Sequence, residues 1–140
     1  MTYALSSKSL KRLEGVDDDI VEAIKESVAI CPIDFGIPKY GGLRTAEVQK
    51  VLYSKGASRC DGVIKLSEHQ TGHAFDVYAY VDGAASWEIK YLGVIAATLI
   101  QVFAKRGIPL EWGGLFKPYA DHKGVACGWD AGHFQKGSNL

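Results

Sequence analysis

Ile20, Ile24 and Val28 recur every four residues behind the acidic run Asp17 to Asp19, which predicts an amphipathic helix that must end near Cys31-Pro32. Ahead of it, Leu10 and Leu13 with Ser7 or Ser9 as cap predict a shorter helix. Ile33 to Ile37 is a brief apolar run punctuated by Gly36 and Pro38, and reads as a strand. Thr45 suits the N-cap of a third helix through Val48, Val51 and Leu52 that stops at Gly56, so Arg44 stands at a helix entrance. After an irregular stretch from Ala57 to Leu66, the aromatic and β-branched run Ala74 to Val81 predicts one buried strand, ended by Asp82-Gly83. Ser86 then caps a long apolar helix that runs to Arg106 and stops at Gly107, and Ile108 to Trp112 makes a last strand before the Gly113-Gly114 loop. The pattern is α+β, with helices packed on a small antiparallel sheet.

At 140 residues and 47% hydrophobic, the chain suits one globular domain covering residues 1–140. Sixteen basic and sixteen acidic side chains cancel, so no long-range field draws in nucleic acid or an anionic membrane. The apolar stretch from Tyr91 to Phe103 is interrupted by Thr98 and Gln101 and falls short of the roughly 20 residues a membrane span needs. The N-terminus lacks a basic start followed by an apolar core, so synthesis in the cytosol is expected, as is a monomer. Three cysteines, Cys31, Cys60 and Cys127, make a disulfide framework unexpected and free thiols the default.

The chemistry concentrates in two stretches, Ser67 to Asp76 and Trp129 to Phe134. His69, Asp76 and His133 would form a two-histidine, one-carboxylate site of the kind that holds a catalytic zinc and keeps a fourth position for water. Asp130 would stay free to handle protons. Two rival sets are open. His69, His73 and Asp76 stand at i, i+4 and i+7 and would share a face on a helix, although Gly72 and the strand-like run after it oppose one. Cys60 and Cys127 with His69 and His133 would make a Cys₂His₂ structural site, but without the tight ligand pairs such sites use.

The segment Ser67-x-His69-x-x-Gly72-x-Ala74-x-Asp76 resembles the signature of the zinc peptidases that include D-alanyl-D-alanine carboxypeptidases and L-alanyl-D-glutamate endopeptidases of phage lysis cassettes. Asp130-x-x-His133 is similar to the closing element of that family, and an Asp there resembles the endolysin branch. Gly41-Gly-Leu43-Arg44-Thr45 with Gln49 resembles its arginine element. The resemblance spans roughly Leu5 to Phe134 and implies one zinc ion on His69, Asp76 and His133, with His73 at a variable position. The loop Gly113-Gly-Leu115-Phe116 departs from the Gly-Gly-Asp-Trp of many relatives, which bears on substrate preference.

Zinc would lower the pKa of a water and polarise the scissile carbonyl, and Asp130 would accept the water's proton if burial raised its own pKa. Arg44 is read as stabilising an oxyanion or gripping a substrate carboxylate, against an ion pair with Glu47 or Asp61. Ser67, Gln49 and His122 are candidate substrate-contacting residues, and Ser67 also fits a hydrogen bond within the metal loop. Glu111 fits a paired structural carboxylate better than an acid, while Trp87 and Trp112 fit core or rim positions better than a sugar platform. The expected protein is a peptidoglycan-cleaving endolysin that reaches the wall through a separate pore. A carboxypeptidase of bacterial wall metabolism and a non-catalytic wall-binding zinc module are the alternatives.

Overall fold

The computed structural model describes residues 2–55, 68–115 and 130–137. Helix α1, Ser7–Arg12, is capped by the Ser6 hydroxyl, which accepts from the Ser9 amide at 3.1 Å. The cap thus precedes the two serines expected. Ser9 is buried instead, and its hydroxyl accepts from the Ile37 amide at 3.0 Å, tying α1 to a distant segment. Helix α2, Asp18–Ile30, buries Ile20, Ala23, Ile24, Ser27 and Val28, and carries Asp18 and Asp19 in its first turn, where the helix dipole favours acids. Helix α3, Ala46–Ser54, starts at Thr45, whose hydroxyl accepts from the Val48 amide at 3.2 Å. Helix α4, Ile89–Lys105, begins after Glu88, later than its expected cap Ser86, and buries Leu92, Ile95, Ala96, Leu99, Val102 and Phe103.

Strands β1 (Phe35–Gly36), β2 (Ala74–Asp76), β3 (Tyr78–Val81), β4 (Ala84–Ser86), β5 (Leu110–Trp112) and β6 (His133–Lys136) form two antiparallel sheets, ordered β1-β3-β4 and β2-β6-β5. The residue pattern predicts one strand from Ala74 to Val81, and the structure divides it. The break falls at Val77, whose amide donates to the Gly132 carbonyl at 2.8 Å, so β2 and β3 enter different sheets. That break leaves Asp76 at the very end of β2.

Helix α2 packs on α4, and α4 in turn packs on β3 and β5, one strand from each sheet. Phe75 of β2 stacks on Phe103 of α4 and on Phe134 of β6, with ring centroids 5.9 and 5.2 Å apart, and all three rings are fully buried. Successive side chains of a strand point to opposite faces of its sheet. With Phe75 and Phe134 turned into the core, their neighbours Asp76 and His133 must face the other side.

Candidate metal centre

Three elements deliver the central group. His69 lies in a single 3₁₀ turn, Glu68–Gln70. Gly72 then turns the chain into β2 with φ at +80°, a conformation costly to any residue with a Cβ, and a Cβ there would also meet the Gly15 carbonyl oxygen at 2.8 Å. Asp76 ends β2 and pairs directly across the ladder with His133, the first residue of β6. One tight turn precedes His133, whose amide donates to the Asp130 carbonyl at 3.0 Å.

The donor atoms converge. His69 Nε2, His133 Nδ1 and Asp76 Oδ1 form a nearly equilateral triangle with sides of 3.1, 3.1 and 3.2 Å. Zinc–nitrogen bonds of about 2.0–2.1 Å in a tetrahedron place neighbouring donors about 3.3 Å apart, so the triangle has the size of a zinc face. The far sides of the rings fix which lone pairs point inward. His69 Nδ1 donates to the Gly42 carbonyl at 3.0 Å, and His133 Nε2 donates to Gln135 Oε1 at 2.8 Å. Both protons are therefore on the outside. Two bare nitrogens and a carboxylate oxygen are left facing one another, an arrangement that repels unless a cation or a proton sits among them. The group can bind a metal ion.

Burial sharpens this. His69 is 2% exposed and His133 8%, so bulk water does little to screen the donors from one another. Burial pushes the Asp76 carboxyl up, but the His69 and His133 imidazoles outweigh it and hold the group well below the usual carboxylate range. Burial pushes His133 down, and the hydrogen bond and negative charge of Asp76, together with Asp130, reverse this and raise it above an ordinary histidine.

A strap holds the three donor residues from one side. The Asp76 amide donates to the Gly41 carbonyl at 2.7 Å, His69 Nδ1 to the Gly42 carbonyl, and the Arg44 amide to the His69 carbonyl at 3.0 Å. A Cβ at Gly42 would lie 2.0 Å from the Arg12 carbonyl oxygen, so only glycine lets the strap come this close. The Arg44 side chain completes it. Its Nη2 donates to Asp76 Oδ2 at 3.0 Å, its Nη1 to Gln49 Oε1 at 3.1 Å and its Nε to the Tyr40 carbonyl at 2.8 Å. Arg44 thus pairs with Asp76, a partner not considered from sequence, while Asp61 lies outside the described residues. One oxygen of Asp76 faces the donor triangle, and the other is gripped by a fixed positive charge.

Asp130 stands beside the group, close enough for its carboxylate to feel His133, Asp76, His69 and Arg44. Burial, with the Asp76 charge behind it, raises the Asp130 pKa against the pull of the cationic groups. His73 lies apart and meets Asp17 at 3.5 Å. Ser67, His122, Trp129, Cys60 and Cys127 lie outside the described residues.

The model of the phage L-alanyl-D-glutamate peptidase family matches residues 1–136. The chain belongs to that family. It is 25% identical over 138 residues to the L-alanyl-D-glutamate peptidase of Escherichia phage T5, covering 96% of this chain and 98% of the relative. The crystal structure of the Serratia marcescens L-Ala D-Glu endopeptidase ChiX superposes with a TM-score of 0.78 at 30% identity, over 97% of this chain and 91% of that one. This member of the peptidase family therefore matches its relatives along nearly its whole length, and its fold class and peptidase assignment agree with the expectation from sequence.

The residue pattern does not reveal three contributors to the site, the Gly41 and Gly42 carbonyls and Gln135, and Gln49, read there as a candidate substrate contact, is fully buried against Arg44. Gln135 was findable, because it follows His133 by two residues on a strand and so shares its face.

Proposed function

We propose that the protein is a zinc endopeptidase that cuts the peptide stems of bacterial peptidoglycan between L-alanine and D-glutamate, acting as a phage endolysin. The observation that carries this reading is the inward-facing triangle of His69 Nε2, His133 Nδ1 and Asp76 Oδ1, with both ring protons tied off outside. The names of the T5 and Serratia relatives supply the bond. Zinc is the ion that suits two imidazoles and one carboxylate at this spacing, and when bound it would supply Lewis acidity and a more acidic water.

The chain's own residues do the rest. Asp130, its pKa raised by burial, takes a proton from water as the water oxygen bonds to the scissile carbonyl carbon. The same carboxyl returns that proton to the departing nitrogen as the C–N bond breaks, leaving a carboxylate on one fragment and an amine on the other. Arg44 orients Asp76 and keeps a positive charge beside the reacting oxygen. Gln49 anchors Arg44, and Ser67 and His122 remain proposed substrate contacts. The balanced net charge fits a neutral approach to the wall as a monomer rather than binding to nucleic acid. No helix among the described residues is long and apolar enough to cross a membrane, which fits release to the wall through a separate pore.

Digestion of purified peptidoglycan tests the reading. New D-glutamyl amines are expected. Release of free D-alanine would indicate a carboxypeptidase, and intact walls from zinc-loaded protein would remove the enzyme reading.

A further inference from the structure

We infer that Gln135, oriented by Glu111, is a positioning residue that selects the ring nitrogen of His133 offered to the metal; the inference rests on the proposed metal site. Strand register places the parts. Asp76 pairs with His133 across β2 and β6, and Gln135 pairs with Glu111 across β6 and β5. Residues two apart on a strand share a face, so Asp76, His133, Gln135 and Glu111 form a row across one side of the sheet.

The row has a direction. Gln135 Nε2 donates to Glu111 Oε2 at 3.1 Å, and His133 Nε2 meets Gln135 Oε1 at 2.8 Å. A carboxylate only accepts, so Glu111 draws the NH₂ end of the amide toward itself. The amide oxygen must then face the imidazole. An amide oxygen also only accepts, so the facing ring nitrogen, Nε2, must carry the proton. The lone pair is thereby assigned to Nδ1, the atom that faces His69 and Asp76. A carboxylate two residues removed from the ion thus fixes a tautomer at the centre. His69 reaches the same result through the Gly42 carbonyl, whose polarity cannot be reversed. Only the His133 side depends on a side chain that could turn over, and there Glu111 supplies the lock.

Outer partners of metal-bound histidines are typically worth about 10–100-fold in metal affinity. Removing the acceptor with Gln135→Leu is expected to weaken zinc binding by about that factor in a chelator competition, with thermal unfolding of the metal-free protein little changed. The paired exchange Glu111→Gln with Gln135→Glu keeps an acceptor against His133 and a donor from position 111, and is expected to restore affinity to about the wild-type level. Nitrogen-15 spectra of histidine-labelled wild-type protein are expected to place the His133 proton on Nε2, both with zinc and, without it, at a pH alkaline enough to leave the ring neutral, and to show a mixture of tautomers in metal-free Gln135→Leu at that same pH. Wild-type zinc affinity in Gln135→Leu would overturn the inference, as would a paired exchange no better than Gln135→Leu or a metal-free wild-type protein protonated on Nδ1 alone. Wild-type protein that takes up no zinc would instead remove the metal reading, and this inference with it. The spectra of the wild-type protein decide the matter even where a variant does not fold.

Discussion

Two histidine–carboxylate clusters flank strands β2 and β6, and they differ in what completes them. At one end, His73 Nε2 lies 3.5 Å from Asp17 Oδ2, and Lys136 Nζ lies 3.3 Å from both Asp17 and Asp19. The side chains are 44% exposed for His73 and 31% for both Asp17 and Lys136, so water screens the charges and a lysine already balances the carboxylates. At the other end, His69, Asp76 and His133 are largely sealed from water, and the positive partner of Asp76, Arg44, holds the oxygen that faces away from the histidines. Adjacency of a histidine and an acid is common to both. Convergent lone pairs in a dry place belong to one, and only that arrangement gains by taking in a cation.

The largest effect that could break this comparison comes from removing a donor. His69→Ala or His133→Ala is expected to abolish zinc binding and wall cleavage together, measured by metal analysis and by release of new amines. A variant of either kind that still held stoichiometric zinc would move the metal elsewhere, His73 being the first place to look.

Asp130 comes next, because it shares the dry end without being one of the three donors. Asp130→Asn is expected to keep zinc and lose about 10²–10⁴-fold in cleavage, the usual share of a general acid or base. Its sign on stability is opposite. A folded pKa raised above the unfolded value favours the protonated form, so the ionised carboxylate destabilises the fold once pH rises through that raised pKa. The metal-free Asn variant should therefore melt higher than the wild type at pH 7, and the gap should close as pH falls below about 4, the ordinary range of an Asp. The same raised pKa predicts an acid limb in kcat/KM above that ordinary range. A profile flat down to about pH 4 would take the base role from Asp130.

The grouping at the dry end was readable in the sequence because His69, Asp76 and His133 are residue types with few other uses at such spacing, and the helices were readable because Ile20, Ile24 and Val28, or Leu92, Ile95 and Leu99, keep their period. What escaped is non-local. Val77 looks like its neighbours, and only the distant Gly132 carbonyl breaks the strand there. Strand β4, Ala84–Ser86, has exposed alanines with no alternation to read, and β6, His133–Lys136, is brief and mostly polar. Gln49 reads as a candidate substrate contact, and its burial against Arg44 depends on a guanidinium folding back onto the helix. Gly42 reads as part of the arginine element, and nothing near it in sequence shows that an Arg12 carbonyl lies where its Cβ would be.

The strap gives a smaller effect that sharpens the contrast, since it reaches only the dry cluster. Gly42→Ala places a methyl where a backbone oxygen already sits, and the chain must shift at a cost of about 1–3 kcal/mol. The displaced carbonyl is the acceptor for His69 Nδ1, so zinc affinity should fall along with the melting temperature. A drop in stability with unchanged zinc affinity would show that His69 does not rely on the strap.

The wet cluster should yield the smallest effect. His73→Ala removes a half-exposed contact, and Lys136→Ala removes a cation shared by two part-exposed acids; each pair of this kind contributes about 0–1 kcal/mol. Zinc affinity and cleavage should stay at the wild-type level in both, and the stability difference should shrink further in high salt, where the screening length falls to about 3 Å at roughly 1 M. Salt should leave the His69, Asp76 and His133 group almost untouched. A His73→Ala protein that lost zinc, or a metal affinity that tracked ionic strength as steeply as the Lys136 pair does, would mean that solvent reaches both clusters alike. Burial would then no longer explain why only one of them gathers donors that could hold an ion.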